Sequence, residues 1–170
     1  MLRRRAPKRV PGSSGSDPGR ATDPAAARAT AVALLARRDL PSGEVRERLA
    51  ARGFEAAATA EALAALASEG ALDDGRFARN YVAYHAGRGH GPVRIRADLR
   101  ARGLAPELIE TALAAGLDWQ ALAAAARVRR FGRPAPADYR DKARQARFLQ
   151  YRGFSADHIR AATGADSDMD

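Results

Sequence analysis

One six-residue phrase occurs three times in this chain, each time 50 residues on: Leu49-Ala-Ala-Arg52-Gly53-Phe54, Leu99-Arg-Ala-Arg102-Gly103-Leu104 and Leu149-Gln-Tyr-Arg152-Gly153-Phe154. A leucine, an arginine three residues later, a glycine and a large apolar residue keep register through all three copies. Self-similarity at a fixed period of this size marks a repeat array, in which each unit is one supersecondary motif. The expected fold is therefore all-α, with tandem three-helix repeats instead of one large core. Such an array offers a partner surface more readily than a substrate pocket.

Composition limits what the units can be. Leu, Ile, Val and Phe together make up 29 of 170 residues, and the net charge is +9. Alanine supplies much of the remaining apolar content, and it favours helix while burying little area. Thin cores are expected, with flexibility between units. The absence of cysteine excludes disulfides, thiolate catalysis and Cys-ligated zinc, and a cytoplasmic location is expected. No run approaches the ~20 apolar residues of a membrane span, so no membrane association is expected. Six Arg/Lys and one Asp fall in residues 1–20, and three Asp fall in 166–170. Residues 21–165 keep a net charge of +7. The folded part itself should favour a polyanion or an acidic protein face.

Local signals divide the chain. Residues 1–22, rich in Arg, Gly, Ser and Pro, read as a disordered basic arm. The first repeat occupies 23–72. Asp23-Pro24 opens its first helix, with Val32, Leu34 and Leu35 apolar. Ser42 starts the second, with Val45 and Leu49 on one face, and the third runs from about Glu55 to Ser68. The second repeat occupies 73–117. Asp73-Asp74 caps a helix whose Phe77, Tyr81 and Tyr84 form a core stripe. Pro92 and Pro106 then open the next two helices. The third repeat, 118–164, has helices from Asp118 to Phe131, Asp138 to Arg152 and Ser155 to Gly164. Residues 165–170 form a loose acidic tail.

Each chemical constellation has a structural counterpart. Arg52, Arg102 and Arg152 read first as helix-end residues, beside a glycine that terminates the helix and opposite the negative end of its dipole. Gly87 to Pro92 is either a turn or an anion cradle at a helix start. It lacks the Gly-Lys-Ser/Thr of a phosphate loop. Glycines separate His85 from His90, and only His158 remains elsewhere, so no metal site and no cofactor is expected. Nothing assembles a catalytic set, and no enzymatic activity is expected. On the helix from Pro92, Ile95 and Leu99 face the core. Arg94, Asp98 and Arg102 form a compensating ladder on one flank. Arg96 and Arg100 lie on the other with no acidic residue between them. That pair is either solvated surface or a site for phosphates or carboxylates.

Four segments together resemble the RecX family of recombinase regulators. They are Leu72-Asp-Asp-Gly-Arg-Phe-Ala-Arg-Asn-Tyr-Val82 and Gly89-His-Gly-Pro-Val-Arg-Ile-Arg-Ala-Asp-Leu99 with Arg102-Gly103, then Ala33-Leu-Leu-Ala-Arg-Arg38, and finally Arg147-Phe-Leu-Gln-Tyr-Arg-Gly-Phe-Ser155. The resemblance runs from about residue 29 to 164. His85 departs from it, standing where a basic residue is expected. The resemblance implies a curved, elongated array that lies in the groove of the RecA filament. There it would restrain filament growth, ATP hydrolysis, strand exchange and LexA coprotease activity in DNA repair, recombination and the SOS response. Contact with single- or double-stranded DNA accompanies this, and a monomer is expected. The expected partner-binding residues are Arg37, Arg38, Arg76, Arg88, Arg94, Arg96, Arg100 and Arg147. The alternative is a basic helical nucleic-acid-binding protein without a recombinase partner. Its second helices begin Ser42-Gly-Glu, Gly91-Pro-Val and Asp138-Tyr-Arg, starts poorly suited to reading bases.

Overall fold

A computed structural model describes residues 18–164. Ten helices and no strands occur among them. A short turn of helix, α1 (Pro18–Ala21), precedes three units of three. The first unit holds α2 (Pro24–Leu35), α3 (Ser42–Ala50) and α4 (Ala56–Ser68). The second holds α5 (Asp74–Gly87), α6 (Pro92–Ala101) and α7 (Pro106–Leu113). The third holds α8 (Trp119–Phe131), α9 (Tyr139–Arg152) and α10 (Ala156–Thr163). In each unit the first and third helices pack together, and the second crosses beside them.

The helices start where local chemistry says they should. The Asp23, Asp73, Asp118 and Asp138 side chains accept from the backbone N–H of Ala25, Arg76, Ala121 and Asp141 at 2.7–2.9 Å. Each satisfies an N–H that the helix geometry leaves free. The Arg76 N–H, followed by the arginine charges nearby, holds the Asp73 carboxyl below the usual range. Ser155 accepts from His158 N–H at 3.3 Å, and the Ser155 N–H donates back to His158 Nδ1 at 3.4 Å. This is a capping box with histidine in the place usually taken by Glu or Gln.

Each repeat has its own core. The first gathers Ala27, Ala31, Leu34, Val45, Leu49, Leu63 and Leu66, and the second Phe77, Val82, Ile95, Leu99, Ile109 and Leu113. The third is small, built on Ala123, Ala126, Leu149 and Phe154. The repeated leucines Leu49, Leu99 and Leu149 are fully buried. Trp119 and Leu122 pack against both the second and the third core, and the Trp119 indole donates to the Leu113 carbonyl at 3.1 Å. Repeats 2 and 3 thus share apolar contact. In the third repeat the buried Arg127 guanidinium donates to the carbonyls of Pro134 and Arg133 and to Gln145 Oε1 at 2.9–3.2 Å. It ties the proline-containing loop between α8 and α9 to the helices that flank it.

The inner face of α2 is formed by Ala27, Ala31 and Leu34, and Val32 is exposed. Two expectations need correction. Tyr84 is 60% exposed, since the core stripe of α5 runs through Phe77, Ala78, Val82 and Ala86. The arm expected over 1–22 does not extend that far. Residues 18–21 form α1, the Ala21 carbonyl accepts from Glu55 N–H at 2.9 Å, and the Arg20 guanidinium sits 5.6 Å over the Phe54 ring. The rest of that arm and the acidic tail lie outside the described residues.

Candidate partner interface

The repeated Arg-Gly turn does more than end a helix. In repeats 2 and 3 it receives the start of the preceding repeat's second helix. At the joint between repeats 2 and 3, Gly91 N–H donates to the Arg152 carbonyl at 2.9 Å and Val93 N–H to the Gly153 carbonyl at 3.0 Å. Arg152 Nη2 donates back to the Arg88 carbonyl at 2.8 Å. The backbones are so close that a Cβ on Gly91 would lie 2.3 Å from the Gly153 carbonyl carbon. The glycine-rich stretch before α6 is the turn between two helices that one of its readings expects, and it also serves as a joint, with the Gly91 and Val93 N–H groups directed at the Arg152-Gly153 turn.

The joint between repeats 1 and 2 uses the same topology with different chemistry. Gly43 abuts Arg102 and Gly103, where a Cβ would meet the Arg102 oxygen at 2.6 Å. The hydrogen bonds across it involve side chains. Asp74, expected to help cap its own helix, accepts from the Ser42 N–H at 2.7 Å and from the Ser42 hydroxyl, so it caps α3 of the neighbouring repeat. Glu44 collects three guanidiniums: Arg38, Arg48 at 2.7 Å and Arg102 at 2.8 Å. Burial opposes ionisation of Glu44. The Arg48 hydrogen bond and the charges of Arg38, Arg102 and Arg48 outweigh it and hold the carboxyl below its ordinary range.

These joints redistribute the expected partner-binding arginines. Arg38 is tied to Glu44, and Arg76 faces the Gly70 carbonyl at 3.3 Å and Asp39 at 3.9 Å. Arg88 lies over the Tyr84 ring and donates to its hydroxyl at 3.2 Å. Arg94 presses its Cβ against the Gly153 turn. The expected ladder on that flank is not formed. Asp98 accepts from the Tyr81 hydroxyl at 3.5 Å, and Arg102 turns to Glu44. Arg96 has an acidic partner after all: its Nε and Nη2 donate to the two carboxylate oxygens of Glu110 on α7 at 2.6 and 2.8 Å. That hydrogen bonding lowers the Glu110 pKa and raises that of Arg96. Arg37, Arg100 and Arg147 are exposed and make no side-chain ion pair among the described residues. The structure brings the eight together in no single cluster.

The histidines that glycines separate in sequence meet in space. His85 and His90 Nδ1 atoms are 3.1 Å apart, one donating to the other, with rings stacked at 5.2 Å. Burial lowers both pKa values. Arg94 and Arg152 add to the effect on His90, while Asp98 opposes it on both. No group of three or more His, Cys, Asp or Glu residues able to hold a metal occurs among the described residues. Sequence reasoning missed Glu44 and Gly43, and it named Asp74 and Gly91 without their roles in the joints. The one available signal was a glycine at the start of two second helices, Gly43 and Gly91, where nothing in the helix itself calls for it.

Three consecutive family models match this architecture: RecX first three-helix domain over 27–66, second over 73–113 and third over 118–163. The chain belongs to the RecX family. It is 47% identical over 156 residues to the regulatory protein RecX of Halorhodospira halophila, covering 91% of this chain and 96% of that one. It is 43% identical to the regulatory protein RecX of Pseudomonas savastanoi, over 80% and 88% of the two chains. The crystal structure of RecX from Lactobacillus salivarius superimposes with a TM-score of 0.73 at 20% identity, over 84% of this chain and 96% of that one. It shares the three-domain RecX fold. No described helix is long and apolar enough to cross a membrane.

The Arg96–Glu110 pair changes what a charge-reversal experiment measures. Arg96→Glu would set a carboxylate against Glu110 and cost stability, on the order of 0.5–1 kcal/mol for a bidentate but half-exposed pair. Arg100→Glu, whose charge acts on Glu110 without a hydrogen bond, should cost less than Arg96→Glu and is the cleaner probe of that flank. Thermal melts of the two single variants check this. Equal melts would show that the Arg96–Glu110 pair contributes nothing in solution.

Proposed function

We propose that this chain binds a RecA–DNA filament and restrains its growth, and through it ATP hydrolysis, strand exchange and coprotease activity. The observation that carries the reading is the ordered match of all three RecX domains across the described chain. The joints add a physical reason. Repeats docked in series can reach several subunits of a helical polymer at once, and multivalent contact raises the effective affinity of each module. The exposed cations Arg37, Arg100 and Arg147 are the contacts this reading favours, as single charges facing phosphate or carboxylate. The chain acts as a regulator in the cytoplasm, as a monomer and without catalysis of its own.

The test is ATP hydrolysis by RecA on single-stranded DNA. Inhibition is expected at amounts well below one chain per recombinase subunit, because a bound block need not saturate the filament to stop its growth. Arg100→Glu should weaken it, with the defect shrinking as salt screens the remaining contacts. Inhibition that begins only once the chain coats all free DNA would favour the nucleic-acid-binding alternative.

A further inference from the structure

The third repeat carries a group of arginines that no ion pair among the described residues uses, one of which, Arg152, also reaches the joint with repeat 2. Arg129 and Arg130 on α8, with Phe148 and Arg152 on α9 and Ala126 at the base, line an open cleft of about 210 Å³. No carboxylate lines it. Elsewhere in the described chain the arginines that meet in clusters are neutralised, as Arg38, Arg48 and Arg102 are by Glu44. Here three arginines line one space with no counter-charge, and like charges held together carry a cost unless an anion joins them.

The arginines are also held in place. Phe131 and Phe148 pack edge to face at 5.3 Å. The Arg130 guanidinium lies 5.7 Å over Phe131, and Arg152 lies 5.8 Å over Phe148. Arg152 is fixed further by its bond to the Arg88 carbonyl, yet its Nε is buried with no hydrogen-bond partner. Arg129 Nη2 stands 3.1 Å from the Cβ position of Gly89, so it too comes up against the repeat 2 to repeat 3 joint. Pre-positioned forks lose less freedom on binding than mobile ones.

We infer that this cleft is a binding site for a phosphate group, which on binding bridges α8, α9 and the joint with repeat 2. Phosphate suits it better than a carboxylate. Three guanidiniums need several acceptor oxygens in three dimensions, whereas one carboxylate satisfies one planar fork. The cleft is smaller than the ~300 Å³ and upward typical of whole small-molecule sites, so it takes a group, either a small free phosphate or one phosphate of a longer chain. This site is separate from the proposed filament contacts at Arg37, Arg100 and Arg147.

The experiment uses the full chain at fixed ionic strength. Inorganic phosphate is titrated against chloride while the melting temperature and the 31P linewidth are followed. A saturable rise in melting temperature and line broadening are expected. The Arg129→Gln/Arg130→Gln variant should fold normally without phosphate and bind phosphate at least fivefold more weakly. A short single-stranded oligonucleotide that displaces the inorganic phosphate identifies a nucleic-acid backbone as the source. Phosphate binding that the oligonucleotide does not displace identifies a small free phosphate. Either outcome supports the site. It is overturned if phosphate produces no saturable effect, if the double variant binds it as the wild type does, or if only an acidic peptide binds there. Loss of this site with recombinase inhibition intact would leave the proposed function standing, and the reverse result would leave the site standing.

Discussion

Gly91→Ala is expected to part repeat 3 from repeat 2 and to cost the chain about 3 kcal/mol or more. The added methyl carbon would lie 2.3 Å from both the carbonyl carbon and the oxygen of Gly153, and 2.4 Å from the Phe154 nitrogen. All three are backbone atoms, so no rotamer change relieves the clash. Overpacking alone typically costs ~1–3 kcal/mol. Separation also breaks the bonds from Gly91 and Val93 to the Arg-Gly turn, and it uncovers Trp119 and Leu122 where the two cores meet. Gly87→Ala, four residues earlier, is the matched control. Nothing lies within 4 Å of its Cβ position, and it sits in helical conformation at the end of α5. There alanine should stabilise by roughly 0.5–1 kcal/mol, because it restricts the unfolded chain. Calorimetric melts distinguish the pair. A Gly91→Ala protein that melts like the wild type would mean the two repeats are not docked in solution.

The helices of this protein are legible in its sequence because their signals are local. An Asp or Ser at the cap and a proline at the first helical position act within one turn. The starts at Pro24, Pro106 and Ala156 need no tertiary information, whereas the N–H that opens α3 at Ser42 is met by Asp74 of the next repeat. The repeat period supplied the unit count, and the family models match domains at 27–66, 73–113 and 118–163. What escaped reading are contacts made at a distance. Arg102 and Glu44 stand 58 residues apart, Ser42 and Asp74 stand 32 apart, and Arg96 and Glu110 belong to different helices. A helical-wheel argument sees only one helix, so it left Arg96 without a partner and assigned Arg102 to its own flank. It also kept His85 and His90 apart, although the turn at Gly89, with φ of +78°, brings their rings together. The repeated Arg-Gly pair carries two roles in one motif. Ending the helix is visible locally, and receiving the neighbouring repeat is visible only when the array is assembled.

Glu44→Gln is expected to loosen repeat 1 from the rest of the chain, the counterpart for the first joint of what Gly91→Ala does to the second. Repeat 1 has a separate core, and the hydrogen bonds found across this joint rely on side chains. With the carboxylate gone, Arg38, Arg48 and Arg102 are left facing one another. Breaking a buried pair by removing one partner costs roughly 3–5 kcal/mol, and an exposed pair at most ~1. The Glu44 side chain is 15% exposed but those of its arginines are 35–55% exposed, which places the loss nearer the exposed limit, at about 1–2 kcal/mol. Its depressed pKa sets the sign of the pH dependence. The stabilisation is complete above the ordinary value of 4.5 and disappears as pH falls through the lower folded value. The wild type should therefore lose the joint in acid below about pH 4.5, and Glu44→Gln should lack that step, its joint being open already at neutral pH. High salt should weaken the wild-type joint only in part, because a half-buried cluster is screened less than an exposed one. Distance measurements between fluorophores on exposed sites of α4 and α7, taken against pH, read the opening directly. A single cooperative melt and an unchanged distance in Glu44→Gln would show that the glycine contact between Gly43 and Gly103 holds this joint without the charges.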